Sequence, residues 1–208
     1  MATGRRDVYD VLALIRGLGL PLRTDAALDF GCGVGRLTQA LAETFTRVVG
    51  VDATTEYIRL ARSLNRDSDR VSFQVSGITV PFPDDQFDLV LSLATLQHIT
   101  PDKQLRYIAE LVRVARPGGL LALQVFGSPT TVASRIGMAF RPLFILYQLI
   151  RLRGHRMDLY PLAPERIFRE LERARATIHD MIRMDHRARF TTLLFVAEKT
   201  SKPRAAQR

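Results

Sequence analysis

The chain has 208 residues, 47% hydrophobic and 25% charged, with a net charge of +9, and this suits one globular domain. No run of ~18 apolar residues exists, so no transmembrane helix is expected, and "MATGRRDVYDV" lacks the apolar core of a signal peptide. A single cysteine, Cys32, excludes an internal disulfide, and no Cys/His group has zinc spacing, so a reducing cytoplasm and no metal are expected.

In chain order, Val8, Leu12, Ile15 and Leu18 recur near helical spacing and predict an amphipathic helix over 7–18. "AALDF" (26–30) predicts a short strand. Leu37, Leu41 and Phe45 then predict a helix. "RVVGVD" (47–52) predicts a second strand, with a helix over 54–65 after it, and "VSFQV" (71–75) a third strand. "FDLVLSL" (87–93) is a near-continuous apolar run, as for a strand buried on both faces. Pro101 opens a helix through Ala115, "RPGG" breaks it, and "LLALQVF" (120–126) predicts a fifth strand. A helix over 164–173 and two strands within 176–199 close the chain.

This alternation predicts a Rossmann-like, doubly wound α/β sheet. Seven strands are expected, mostly parallel, with an antiparallel closing strand and flanking helices. The expected organisation is one domain over 1–200, an inserted helical cap at about 128–160, and a disordered tail over 201–208.

"LDFGCGVGRLTQAL" (28–41) places Gly31, Gly33 and Gly35 between the first strand and a helix start. Such a turn is a ligand site, because helix N-termini offer unpaired N–H groups and glycine lets a ligand approach the main chain. A dinucleotide fingerprint needs its third glycine one place later, where Arg36 stands. Asp29 at the end of strand one repels phosphate and suits an ammonium group. Asp52 at the end of strand two can accept both hydroxyls of a ribose. A ligand with an ammonium, a ribose and no phosphate fits best, and S-adenosylmethionine is such a ligand.

"LDFGCGVGR" (28–36), "VVGVDATTEYIRLAR" (48–62), "PFPDDQFDLVLSLATLQHI" (81–99) and "ELVRVARPGGLLAL" (110–123) resemble the successive motifs of class I S-adenosylmethionine-dependent methyltransferases. The subgroup resembled is the small "methyltransferase domain" type, which acts mostly on small molecules. The resemblance implies that Gly31, Gly33 and Gly35 pack against the methionine part of the cofactor and that Asp29 helps hold its amino group. It also implies that Asp52 binds the ribose and that Ala53 lies along the adenine. Relatives commonly carry an acid after strand three; here Ser76 holds that place, so adenine contact is expected from Gly77 and Ile78. Leu93 is expected beside the methyl-bearing sulfur. The product is then S-adenosylhomocysteine, and no metal is implied.

Methyl transfer is an in-line displacement in which the enzyme chiefly aligns acceptor and donor. His98 in "LQHI" is the candidate base for an acceptor that must lose a proton, or else a brace for its loop, and Gln97 beside it is polar lining. Tyr9 and Tyr57 are either covers for the cofactor or ordinary packed side chains. The [ND]-P-P-[YF] motif of base- and protein-amino methylation is absent, and so is a Pro-Cys nucleophile.

Residues 1–126 carry 14 Lys+Arg and 14 Asp+Glu, so the whole +9 lies in residues 127–208. There "SRIGMAFRPLFILYQLIRLRGHR" (134–156) joins five arginines to an apolar centre. It reads as a roof over the acceptor, with Phe140, Phe144 and Arg151 as candidate contacts, as an amphipathic helix on an anionic membrane, or as a packed or dimer face with a solvated rim. Arginines without interleaved aromatics are a poor case for nucleic acid. The expected function is methyl transfer to a small, apolar or lipid-like acceptor, at O or N rather than C. An RNA or protein methyltransferase and a non-catalytic cofactor-binding accessory protein are the alternatives. The expected state is a cytoplasmic monomer or homodimer, with peripheral membrane contact open.

Overall fold

The computed structural model describes residues 2–127, 159–184 and 192–201. The strands are β1 (Ala26–Phe30), β2 (Arg47–Asp52), β3 (Val71–Val75), β4 (Phe87–Ser92), β5 (Ala115–Phe126), β6 (Ala176–Met184) and β7 (Thr192–Lys199). They form one sheet in the order β3-β2-β1-β4-β5-β7-β6. β1 to β5 pair in parallel, and β7 runs antiparallel to both β5 and β6. Seven strands with one reversed closing strand is the expected architecture. The expected cap at about 128–160 falls almost wholly outside the described residues.

Alternation along the strands sets two cores. In β1, Ala27 faces one side with Leu89, Leu91 and the helices α1 (Ala2–Gly17), α2 (Arg36–Leu41) and α3 (Thr55–Ser63). Ala26, Leu28 and Phe30 face the other, with Tyr107, Ile108 and Leu111 of α4 (Pro101–Val114) and Ile167 and Leu171 of α5 (Pro164–Arg173). All six residues of β4 are buried, which explains its near-continuous apolar run; Asp88 and Ser92 are the buried polar exceptions. Both α4 and α5 start at a proline, whose missing N–H costs nothing at a helix's first position, and both end near an arginine that suits the negative end of the helix.

Two element starts differ from expectation by five residues, and the helices expected through Phe45 and over 54–65 end at Leu41 and Ser63. α1 begins at Ala2, five residues before the apolar pattern, because its start is held by polar contacts: Arg5 bonds Glu43, and Asp7 bonds Arg36. β5 begins at Ala115 and takes in "RPGG". Phe87 pairs with Ala115 and Leu89 with Leu120, so residues 116–119 bulge from the ladder. Arg116 ties that bulge to β4 by donating to the buried Asp88 at 2.8 Å, and Asp88 also accepts the Ala26 N–H at 2.8 Å.

β3 is an outer strand of the sheet. Its even residues turn toward β2, where Ser76 N–H donates to the Asp52 carbonyl and Val48 N–H to that of Arg70. The odd residues therefore turn outward. There the Arg62 guanidinium donates twice to the Phe73 carbonyl, at 2.8 and 3.1 Å, and the Asn65 amide donates to that of Val71 at 2.9 Å.

Candidate functional site

The glycine turn links β1 to α2, and its backbone is occupied from within. Gly31 and Cys32 N–H both donate to the Val51 carbonyl, at 2.7 and 2.9 Å. Gly35 N–H donates to the Cys32 carbonyl at 2.9 Å, and Gly33 N–H to Asp52 Oδ2 at 3.0 Å. These four donors are spent on the protein, and a pyrophosphate would have to compete for them. The glycines answer different needs. A Cβ on Gly31 would lie 2.1 Å from the Thr95 side chain, and one on Gly35 would lie 2.6 Å from the Phe73 ring. Gly33, at φ +53°, faces open space. Two glycines thus admit the protein's own side chains, and the middle one has nothing within 4 Å of where its Cβ would stand.

Two carboxylates flank the turn. Asp29 is fully buried and accepts the Thr38 hydroxyl on Oδ2 at 2.6 Å, while its Oδ1 is buried without a partner. Burial pushes its carboxyl up from 3.8 to about 6, against the lowering pull of the Thr38 hydrogen bonds and Arg36. Asp52 is half-buried at the end of β2, and its second oxygen accepts the Thr54 N–H at 2.8 Å. Burial, with the charges of Asp29 and Asp52, pushes the Cys32 thiol up and holds it in its inert protonated form.

β1 and β4 are neighbours, yet the chain winds from β1 toward β3 on one side and from β4 toward β5 on the other. The glycine turn therefore opens at the switch point of the sheet, where ligands of such folds bind. The β4 side of this crevice is braced. Ala94 holds a left-handed φ of 56°, costly for a residue with a side chain, and its N–H donates to Gln124 Oε1 of β5 at 2.7 Å. The Thr95 hydroxyl donates to the Gly31 and Leu93 carbonyls, at 3.3 and 3.2 Å. His98 ends a 3-10 turn (Leu96–His98), half-buried, with Nε2 3.4 Å from the Gln97 amide nitrogen. The buried Gln104 of α4 donates to the Ile99 and Tyr160 carbonyls, and Tyr160 N–H donates to that of Gln97. Leu162 N–H reaches the Phe126 carbonyl at the end of β5. The returning chain is thus stitched to the turn that carries His98.

Residues 28–123 match the family model described as "Methyltransferase domain". Demethylmenaquinone methyltransferase of Tropheryma whipplei (strain Twist) is 28% identical over 128 residues, which are 62% of this chain and 51% of that protein. The 27-O-demethylrifamycin SV methyltransferase of Amycolatopsis mediterranei is 38% identical over 113 residues, 51% of this chain and 41% of that one. The chain spans about half the length of the Tropheryma relative. Magnesium protoporphyrin IX methyltransferase of Synechocystis PCC 6803, solved with SAH bound, superposes with a TM-score of 0.70 at 21% identity, over 95% of this chain and 84% of that one. That likeness shows a shared fold.

Asp29, Gly31, Gly33, Asp52 and Leu93 lie at or just beyond the ends of β1, β2 and β4, with the Asp29 side chain fully buried. Ala53, Gly77 and Ile78 are exposed beyond β2 and β3. Ser76 turns inward: it is buried and donates to the Gly77 carbonyl at 3.2 Å. Tyr9 is 65% and Tyr57 48% exposed, so neither is a packed core tyrosine. Phe140, Phe144, Arg151 and the whole 134–156 segment lie outside the described residues. No group of His, Cys, Asp and Glu suited to a metal occurs among the described residues, nor any helix long and apolar enough to cross a membrane. Thr95 and Gln124 are the site residues that sequence reasoning missed. Gln124 carried a signal, as the one polar residue in "LLALQVF"; Thr95 carried none.

Proposed function

We propose that this chain transfers a methyl group from S-adenosylmethionine to a small apolar acceptor. The observation that carries the reading is the Asp52–Gly33 contact, in a turn where the Gly31, Cys32 and Gly35 N–H groups are also spent on the protein. That arrangement favours a ribose and disfavours a pyrophosphate. The site fits the cofactor on two further counts: Gly33 opens into space, and Asp29 Oδ1 lacks a partner. S-adenosylmethionine supplies a methyl group on a sulfonium with a neutral leaving group.

The chain's own residues then divide the work. Asp52 keeps lone pairs for the ribose hydroxyls beyond its two backbone bonds. The charge of Asp29 favours an ammonium near the turn. Ala53, Gly77 and Ile78 offer an adenine their exposed, uncharged surface. Leu93 and the braced Ala94 set the wall at which the acceptor meets the donor. His98 accepts a proton from an acceptor hydroxyl or amine where one must leave.

An apolar acceptor draws support from the named substrates of the two curated relatives, a demethylmenaquinone and a demethylrifamycin. Titration calorimetry tests the cofactor, and saturable S-adenosylmethionine binding is expected. Preferential binding of NAD would overturn the reading. Copurified S-adenosylhomocysteine would favour turnover over cofactor binding alone.

A further inference from the structure

A second concavity of about 220 Å³ lies between the start of α1, the outer side of α2 and the loop that leads into β3. It is smaller than the ~300–1,000 Å³ typical of drug-sized ligands, and so suits a compact one. Its charged lining is Arg5, Arg36, Arg66, Arg70, Glu43 and Asp67, four cations against two acids, a net of +2. Its apolar lining is Ala40, Ala42 and Val71. Gly33 and Asp52 are not part of it.

The acids do not exhaust the arginines. Arg5 bonds Glu43, Arg36 bonds Asp7 outside the cavity, and Arg70 bonds Asp67 and the Ala42 carbonyl. Each guanidinium has five N–H donors in a planar fork, so donors remain after these bonds. Arg66 has no acidic partner among the described residues. Three separate elements therefore bring guanidinium groups to one hollow, and one of these groups is uncommitted.

The geometry points to a binding site for a phosphate monoester here, separate from the crevice at the glycine turn. Arg66 supplies the uncompensated charge, the phosphate oxygens match the forks of Arg66 and Arg5, and the small apolar surface takes the first carbons of the ester. The inference rests on this hollow alone and stands whether or not the chain binds S-adenosylmethionine.

Calorimetry at low salt with phenyl phosphate and inorganic phosphate tests it, alongside sedimentation with vesicles that contain phosphatidic acid. Saturable phenyl phosphate binding is expected, weakened about tenfold by Arg66→Gln or Arg5→Gln and weakened by added salt. Glu43→Gln, which removes a competing acid, is expected to tighten it. S-adenosylmethionine affinity should hold in all three variants, and the melting temperature should hold in Arg66→Gln, which breaks no ion pair; Arg5→Gln and Glu43→Gln also release the start of α1. Binding of phenyl phosphate without vesicles assigns the site to a free monoester. Vesicle binding that is lost in Arg66→Gln, without phenyl phosphate binding, assigns it to a lipid headgroup. Absence of both, or binding indifferent to Arg66→Gln and Arg5→Gln, overturns the site.

Discussion

Gly31 and Thr95, 64 residues apart, lock together: the Thr95 side chain fills the place where a Gly31 Cβ would stand, and its hydroxyl donates to the Gly31 carbonyl. The contact joins the end of β1 to the end of β4 and so sets the width of the crevice. Gly31→Ala adds a steric clash to a φ of +77° and should destabilise the protein by about 2–4 kcal/mol. Gly33→Ala meets no neighbour and should cost only about 1–2 kcal/mol, for its positive φ. It should nonetheless weaken S-adenosylmethionine binding about tenfold. Chemical denaturation and calorimetry on both variants check the contrast, and equal affinity in parent and Gly33→Ala would place the ligand elsewhere.

Asp52→Ala removes the acceptor of the Gly33 N–H together with the ribose partner. A hydrogen bond to a charged acceptor is worth about 1.5–3 kcal/mol, so S-adenosylmethionine affinity should fall by about tenfold or more. Unchanged affinity in a folded Asp52→Ala protein would remove Asp52 from the site.

Asp29 gives the protein a pH signature. Its folded pKa, about 6, lies above the unfolded value of 3.8. Its stabilising contribution is therefore full below 3.8 and lost as pH rises through about 6, a change of about 3 kcal/mol. Asp29→Asn abolishes that titration and keeps an oxygen for Thr38. The variant's stability relative to the parent should rise by up to this amount between about pH 4 and pH 7. Urea unfolding across that range measures it, and a flat difference would show that the carboxyl titrates normally.

His98→Asn separates base from brace. As a base, its loss lowers kcat about 10²-fold while cofactor affinity and melting temperature hold. Near-normal kcat, or a fall in affinity or melting temperature, would leave His98 only the task of holding its turn.

The strands β2 and β3 and the helix α5 were legible to the residue, because apolar or amphipathic runs there end at residues that stop them. The start of β5 was not. "RPGG" is a breaker by composition, and long-range contacts keep it at the sheet: Asp88 and Asp25 hold Arg116, and Lys199 holds the Ala115 carbonyl. The start of α1 was hidden likewise, since its anchors are ion pairs to residues dozens of places away. At the site, the places of the two acids and the middle glycine at the ends of β1 and β2 were legible. Gly31 and Gly35 looked the same in sequence, but they yield to Thr95 and Phe73, and a string of residues does not show which side chains will return to fill a gap.

The two side chains laid over β3 have a consequence for how these molecules meet one another. An open strand is a template, and a neighbouring chain in extended form can extend the sheet by matching its unpaired carbonyls. Arg62 and Asn65 have already taken those of Phe73 and Val71. A guanidinium held at that rim also brings a cation that an incoming backbone would have to displace or bury. Two of the carbonyls an incoming strand would need along β3 are thereby closed to it, and fibre growth across this border is disfavoured.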